Sequence, residues 1–255
     1  MIGLEERFRQ LRASGRKILV PYVTGFVPGW TEAIRVSVAN GADAVEIGLP
    51  FSDPVMDGPV IQRASSLALQ RGATVRGILT EVRSLDVDVP LILMCYYNTV
   101  FRAGHTRFAD MTREAGVSGI IIPDLPLEES GSWCESADAA GVATVMLAAP
   151  TAPDERLPRI AARSRGFVYA VGLLGVTGER ASLAASATTI ARRVKAITDV
   201  PVLVGVGVSD AHQAAQACVI ADGVIQGASI MRRLLDEGVD SVGDFVGEVR
   251  RALDE

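Results

Sequence analysis

The chain has 255 residues, of which 49% are hydrophobic and 22% charged, and its net charge is -5. A chain of this composition has enough hydrophobic residues for a sizeable buried core, and its length allows one large domain or two small ones. The acidic balance argues against nucleic acid as a partner, because phosphate backbones bind basic faces. A small anionic substrate stays possible, since a local site need not share the overall sign.

The cysteines and the N-terminal segment bear on the compartment. Cys95, Cys134 and Cys218 are an odd number of cysteines scattered through predicted elements, which indicates reduced thiols. Segment 1–12 is amphipathic and charged, without the apolar stretch of a signal peptide, and no run elsewhere reaches the length of a membrane span. We therefore predict a cytoplasmic protein.

Short runs rich in β-branched residues alternate with helical segments along the whole chain. A first helix is predicted at about 3–14. The eight predicted strands cover 18–24, 43–48, 90–96, 118–123, 143–148, 166–171, 201–206 and 223–226. The predicted helices cover 31–40, a segment from 59, 74–85, a segment after 104, 128–140, 154–164, 188–197, a segment from 209 or 210, and the C-terminal residues.

This strict alternation is typical of parallel strands covered by helices. Eight units close a barrel better than they fill an open sheet, so we predict an α/β fold in which residues 1–255 form a single-domain (β/α)8 TIM barrel with an extra N-terminal helix. A doubly wound sheet is the alternative. In the barrel, an active site lies at the C-terminal ends of the strands.

Two acidic residues stand at that end of the second strand. The alternation of the strand at 43–48 directs Glu46 to one face and Val45 and Ile47 to the other. Inside a barrel, Glu46 would lose its hydration, which costs several kcal/mol unless the group is paired, protonated or catalytic. Asp57 follows in a loop that contains three prolines. Alternatively, Glu46 pairs with an arginine and Asp57 caps the next helix.

Lysine and histidine are too few and too scattered in this chain to favour two common kinds of catalytic site. The chain has only two lysines, Lys17 before strand one and Lys195 in a helix, so a Schiff-base mechanism is not expected. Its only two histidines, His105 and His212, stand at predicted helix starts far apart in sequence, so we expect no metal site. Without a Schiff base or a metal, we expect catalysis to depend on acid–base chemistry of carboxylates.

The segment V-E-I-G-L-P-F-S-D-P-V-M-D-G-P-V-I-Q (45–62) resembles the signature of the tryptophan synthase alpha chain family. The likeness recurs in P-D-L-P-L-E-E-S (123–130) and L-G-V-T-G (174–178), and it extends over nearly the whole chain. The resemblance implies a (β/α)8 barrel that cleaves indole-3-glycerol phosphate into indole and glyceraldehyde 3-phosphate, a lyase reaction of tryptophan biosynthesis.

The resemblance also assigns roles to the two carboxylates. Glu46 would protonate ring carbon C3 of the indole and accept a proton from the adjacent hydroxyl of the side chain. Asp57 would take or stabilise the proton on the indole nitrogen. These roles agree with the predicted environments, because burial raises the pKa of Glu46, whereas a more polar loop keeps Asp57 ionised.

Three further residues match positions that surround the substrate in this family. Tyr169 corresponds to a tyrosine that hydrogen-bonds near Glu46, and it points inward if it shares a face with Val171. Tyr22 corresponds to an aromatic wall of the indole pocket. Thr177 lies in the glycine-containing loop 172–180, which closes over the substrate in the family as a lid that excludes water.

Phosphate in this fold is commonly held by backbone N–H groups in the loops after strands seven and eight. The positions that match the family's phosphate loops are Gly178, Gly207, Gly227 and Ala228. The family usually has a serine where this chain has Ala228, so a hydroxyl is lost while the N–H remains. Whether Ser229 replaces that hydroxyl stays open at this point.

The resemblance finally implies a partner. Pro50, Asp53 and Asp124 lie in loops that resemble the surface meeting the beta chain, a subunit that carries pyridoxal phosphate (PLP) and joins indole to serine. We predict an allosteric alpha2beta2 assembly in which indole passes between subunits, with no cofactor in this chain. Two alternatives are a free-standing lyase that releases indole and a non-catalytic activator of the beta chain.

Overall fold

The computed structural model describes residues 3–172, 180–205 and 208–255. Eight parallel strands form a closed barrel in chain order, and β8 pairs with β1. The strands are β1 Ile18–Thr24, β2 Val45–Gly48, β3 Leu91–Met94, β4 Val117–Ile121, β5 Ala143–Ala148, β6 Val168–Ala170, β7 Val202–Val204 and β8 Gly223–Gln226. The closure excludes the doubly wound sheet and confirms the predicted (β/α)8 barrel.

Helices cover the outside of this barrel. In the described ranges they are α1 Leu4–Ala13, α2 Trp30–Ala39, α3 Pro59–Gln70, α4 Val75–Arg83, α5 Tyr97–Ala103, α6 His105–Glu114, α7 Gly131–Ala140, α8 Leu157–Arg163, α9 Arg180–Lys195, α10 Ala211–Cys218, α11 Ala228–Asp236 and α12 Val239–Asp254. All predicted helices are present, with boundaries that differ by a few residues at most ends.

Three helical segments differ from the prediction. Helix α5 was not predicted; the side chain of Asp124, from the loop after β4, accepts a hydrogen bond from the backbone N–H of Tyr97 at its start (2.8 Å). This contact joins two loops and has no local sequence signal. The predicted helix 128–140 is split into a 3₁₀ turn, Leu127–Glu129, and α7, whereas α9 begins eight residues before the predicted start at 188.

The extra N-terminal helix closes the bottom of the barrel. Leu4 and Phe8 of α1 are buried with inward-facing strand residues in one apolar cluster, and the rings of Phe8 and Phe167 lie 5.6 Å apart. A Cβ at Gly119 or Gly166 would overlap the side chain of Leu4. Glycine at these two positions therefore lets α1 approach the strands and fill the N-terminal end of the barrel.

The two faces of β2 are buried in different layers. Val45 and Ile47 belong to the apolar layer between the strands and the helices, whereas Ala44 belongs to the cluster inside the barrel. Strand alternation then directs Glu46 inward as well, and its side chain lines the barrel mouth. The predicted assignment of faces in this strand is confirmed.

The three cysteines are buried free thiols. Among the described residues, every helix is too short or too polar to cross a bilayer.

Candidate active site

The C-terminal ends of the strands surround a cavity of about 480 Å³. Small-molecule sites typically measure roughly 300–1,000 Å³, so the cavity can hold a ligand of moderate size. Four side chains singled out in the sequence line it together: Tyr22, Glu46, Asp57 and Tyr169. They come from β1, β2, the loop after β2 and β6, and barrel closure brings them to one place.

Glu46 is a buried acid whose carboxyl is poorly stabilised by the described residues around it. It lies beside Tyr22 in the pairing of β1 with β2, only 1% of it is exposed, and its Oε2 has no hydrogen-bond partner in the described part of the chain. Loss of hydration, and secondarily the charge of Asp57, raise its pKa to about 8. Among the described side chains, no arginine forms an ion pair with Glu46, so the alternative in which an arginine neutralises it finds no support in that part of the chain.

Tyr96, which follows β3, organises the loop that carries Asp57. Its hydroxyl accepts a hydrogen bond from the backbone N–H of Met56 (3.0 Å), and its ring stacks on Phe51 with 5.0 Å between centroids. Burial raises the pKa of Asp57, and the Tyr96 hydroxyl, directed at the carboxylate, offsets part of this rise. One side chain therefore fixes the loop at three points.

Asp57 does not serve as the cap of the following helix. The N-cap of α3 is Gly58, which makes no side-chain cap hydrogen bond, and Pro59 occupies the first turn. Proline there begins a helix without needing a donor. The Asp57 carboxylate is thus free to face the cavity.

The two cavity tyrosines each rest against a glycine of a neighbouring strand end. A Cβ at Gly48 would overlap the ring and hydroxyl of Tyr22, and a Cβ at Gly205 would overlap those of Tyr169. Tyr22 is buried and Tyr169 half-buried, and loss of hydration is the main cause that raises the pKa of each phenol. Both tyrosines therefore stay neutral and form walls of the cavity.

The rest of the wall is mostly apolar. Aliphatic and thioether side chains from several strands and α3 surround the carboxylates, namely Ile61, Met94, Ile121, Leu147, Val171, Val208 and Ile225. Apolar walls with a few convergent polar groups are typical of sites that bind and orient a small molecule. The cavity therefore joins an apolar lining to two acidic groups.

Backbone from the loops after β6, β7 and β8 forms the other end of the cavity. Gly172, Ser209, Gly227 and Ala228 line it there, and Ser229 lies beside them at the start of α11. The first N–H groups of a helix lack partners within the helix and attract anions. Of the predicted phosphate and lid residues, Gly178, Gly207 and Thr177 lie outside the described residues.

The lysines and histidines lie away from the cavity. Lys17 Nζ donates to the Ala221 carbonyl (3.2 Å) and Lys195 pairs with Asp222, both just before β8 and so at the N-terminal end of the barrel. His105 shares a hydrogen bond with the Tyr97 hydroxyl (3.0 Å). Neither lysine is placed for Schiff-base chemistry in the cavity.

The residues predicted to meet a partner lie on the same end of the barrel. Pro50 and Asp53 belong to the loop after β2 and Asp124 to the loop after β4. Asp53 is exposed and accepts a hydrogen bond from Ser52. Two apolar residues of the first loop are also exposed, Val55 at 73% and Met56 at 41%. Whether a partner covers these loops stays a prediction.

Comparison with known proteins identifies the family. The family model described as "Tryptophan synthase alpha chain" matches residues 8–246. The chain belongs to the tryptophan synthase alpha chain family. It is 45% identical to the tryptophan synthase alpha chain of Streptomyces coelicolor over 245 residues, covering 94% of this chain and 90% of that protein. It is 40% identical to that of Microcystis aeruginosa, covering 99% and 100%.

Solved structures agree with this tryptophan synthase assignment. A chain of Mycobacterium tuberculosis tryptophan synthase superposes with a TM-score of 0.90 at 37% identity, covering 98% of this chain and 97% of that chain. Tryptophan synthase subunit alpha from Legionella pneumophila gives 0.89 at 31% identity, covering 100% and 99%. The sequence prediction of a lyase of tryptophan biosynthesis is confirmed at the level of the family.

Three residues at this site of a tryptophan synthase alpha chain family member were not predicted from the sequence: Gly205 and Arg232 line the cavity, and Tyr96 contacts the loop that carries Asp57. Tyr96 and Gly205 were within predicted strands, and Arg232 within a predicted helix, so each was read as part of an element. The alternating glycines of V-G-V-G-V (204–208) are a usable signal for Gly205 as well as for the predicted Gly207. Tyr96 and Arg232 gave no local signal, because only closure of the barrel brings Arg232 to the cavity and Tyr96 to the loop with Asp57.

Proposed function

We propose that this chain cleaves indole-3-glycerol phosphate by carboxylate acid–base catalysis, with Glu46 as the group that moves the essential protons. The observation that carries the proposal is the buried carboxyl of Glu46, whose Oε2 has no hydrogen-bond partner among the described residues, in an apolar cavity that Asp57 also lines. Such a group is costly to the fold, and its pKa near 8 makes it a competent proton donor at neutral pH.

Glu46 performs two proton transfers in this proposal. It first gives its proton to ring carbon C3, which leaves the positive charge on the indole nitrogen. It then accepts the proton of the hydroxyl on the carbon attached to C3. That carbon becomes the aldehyde of glyceraldehyde 3-phosphate, and the electrons of the breaking carbon–carbon bond return to the ring as indole. The ring itself is the electron sink, so the cleavage proceeds without an imine.

Asp57 stabilises the positive charge that develops on the indole nitrogen, or takes its proton. A half-buried carboxylate can stabilise this charge or take the proton only when it is ionised. The hydroxyl of Tyr96 favours the ionised form. Tyr169 keeps Glu46 oriented, and Tyr22 forms a wall of the indole slot. Both tyrosines line the same cavity as Glu46, which supports these assignments.

The phosphate occupies the glycine-rich end of the cavity. The backbone N–H groups of Gly178, Gly207, Gly227 and Ala228 hold it in this proposal, and Thr177 belongs to the lid that covers the substrate. The position of Gly227 and Ala228 at the first turn of α11, facing the cavity, supports their part of the assignment.

The chain works together with a beta chain that carries PLP, in an alpha2beta2 assembly in the cytoplasm. The beta chain docks on the loops with Pro50, Asp53 and Asp124, receives indole and favours the closed lid. The exposed apolar side chains of Val55 and Met56 beside Asp53 support an interface there. A purely activating subunit would have no use for the buried acid at position 46.

The experiment measures indole release from indole-3-glycerol phosphate by the purified chain, alone and with a beta chain added. We expect cleavage that depends on Glu46 and is accelerated by the beta chain. A rate unaffected by the beta chain would contradict the two-subunit proposal and favour the free-standing lyase. Absence of cleavage under both conditions, with beta-chain activation retained, would favour the non-catalytic activator.

A further inference from the structure

The described side chains of the cavity are more acidic than basic, although the substrate proposed for the cavity is itself negatively charged. Among its described lining residues, Glu46 and Asp57 are acidic and Arg232 is the only basic one. A phosphate monoester brings about two more negative charges at neutral pH. Backbone N–H groups supply partial charges only, so Arg232 is the one full positive charge that the described cavity offers.

The position of Arg232 in α11 directs it toward the end of the cavity where the backbone can hold an anion. Residues three and four apart lie on one face of a helix, so Arg232 shares a face with Ser229 and Ala228. Helical side chains also lean toward the N-terminus of their helix. The guanidinium is thereby carried back toward the first turn of α11, which lines the same cavity.

The guanidinium of Arg232 can contact a ligand, whereas that of the neighbouring Arg233 is engaged by other groups of the protein. Arg233 stacks on the ring of Phe245 at 3.7 Å and donates to the Ser229 carbonyl (3.1 Å). Asp236, one turn after Arg232, pairs instead with Arg63 of α3 (2.7 Å). Within the described part of the chain, the guanidinium of Arg232 thus makes no ion pair, although a carboxylate lies four residues away.

We propose that Arg232 binds the phosphate of the substrate and supplies a charged contact in the loop where Ala228 offers only its backbone N–H. This inference rests on the proposed function, since it names a further binding residue of the same site. Arginine suits the role because its planar guanidinium donates two parallel hydrogen bonds to phosphate oxygens. The contact fixes the anion and leaves the proton transfers at Glu46 unaltered.

The test compares Arg232→Gln and Arg232→Lys with the unaltered chain, and Arg76→Gln serves as the control. Arg76 is an exposed arginine of α4 outside the cavity, so its substitution removes the same charge elsewhere. For Arg232→Gln we expect KM for indole-3-glycerol phosphate to rise roughly tenfold, the loss of one charge-assisted contact, while kcat changes less than about twofold. Arg232→Lys should recover part of the loss.

A second measurement uses glycerol 3-phosphate as a binding probe, and a third uses indole-3-glycerol without phosphate as substrate. We expect glycerol 3-phosphate to bind less tightly to Arg232→Gln by the same factor, and the dephosphorylated substrate to show no difference between the two proteins. An unchanged KM in Arg232→Gln, or an equal loss with the dephosphorylated substrate, would overturn the phosphate contact.

The two proposals fail in different ways. If the unaltered chain cleaves no indole-3-glycerol phosphate, the proposed function fails, and the glycerol 3-phosphate measurement still decides the role of Arg232. If cleavage is normal and Arg232→Gln matches the control, only the inference about Arg232 fails. Arg232 is exposed, so we expect its variants to keep the thermal stability of the unaltered chain.

Discussion

Tyr169 lies so close to Gly205 that a Cβ at position 205 would overlap its ring and hydroxyl. The two residues belong to neighbouring strand ends, and the glycine leaves the space into which the phenol turns toward the cavity. The same relationship holds between Tyr22 and Gly48 on the first two strands. Absence of a side chain at two strand ends therefore shapes the barrel mouth.

We predict that Gly205→Ala displaces Tyr169 and lowers both stability and turnover. Overpacking a tight site typically costs about 1–3 kcal/mol of unfolding free energy, and Tyr169 can no longer face Glu46. Urea denaturation and indole release measure the two effects. Gly131→Ala is the matched control, since a Cβ there meets no atom within 4 Å. Equal behaviour of the two variants would contradict the packing role of Gly205.

Replacement of Glu46 by Gln should abolish chemistry while preserving the fold. Loss of a positioned general acid typically lowers the rate roughly 10²–10⁴-fold, and glutamine keeps nearly the same shape. Single-turnover indole release measures the effect, with circular dichroism as the check on folding. Near-normal turnover in Glu46→Gln would remove the general-acid role.

The pKa of Glu46 predicts an alkaline limit to activity. The protonated carboxyl is needed for the first step, so kcat/KM should fall as the pH rises through about 8. The charge of Asp57 is the second cause of the raised pKa. In Asp57→Asn, whose activity should be much reduced, the remaining alkaline limb should therefore shift to lower pH. A limb that stays in place would show that another group sets it.

The same group couples stability to pH. The folded state raises the pKa of Glu46 from 4.5 to about 8, so it binds this proton more tightly than the unfolded state does. The contribution to stability is fully present below about pH 4.5 and is lost as the pH rises to about 8. Glu46→Gln should remove this slope in urea unfolding between pH 5 and 8.5, whereas the exposed-residue control Glu135→Gln should retain it.

Tyr96→Phe tests how the loop with Asp57 is held. The substitution keeps the stack on Phe51 but removes the acceptor for the Met56 N–H and the hydroxyl facing Asp57. We expect a roughly 3- to 10-fold loss of kcat/KM, the usual effect of one hydrogen bond, and an acid limb shifted to higher pH.

Tyr97→Phe is the matched control for Tyr96→Phe, because the hydroxyl of Tyr97 contacts only His105 among the hydrogen bonds of the described residues. An unshifted acid limb in Tyr96→Phe would mean that the hydroxyl does not tune Asp57. A shift of similar size in both variants would point to a general effect on the loops instead.

The features that depend on local periodicity can be predicted from the amino-acid sequence. Eight short strands alternating with helices predict the barrel, and the period of two in β2 directs Glu46 inward. The length of the signature 45–62 identified the family and hence the expected chemistry. The roles of the site residues stay predictions.

Which residues meet across the barrel mouth depends on the three-dimensional fold and not on local sequence. Tyr96 reaches Asp57 across 39 positions of the chain, Gly205 makes room for Tyr169, and Arg232 turns back into the cavity from a helix that reads as an ordinary surface helix. A local sequence pattern predicts which face of a strand a side chain occupies. The pattern does not predict which residue of another strand the side chain contacts, because that contact exists only after β8 pairs with β1 and closes the barrel.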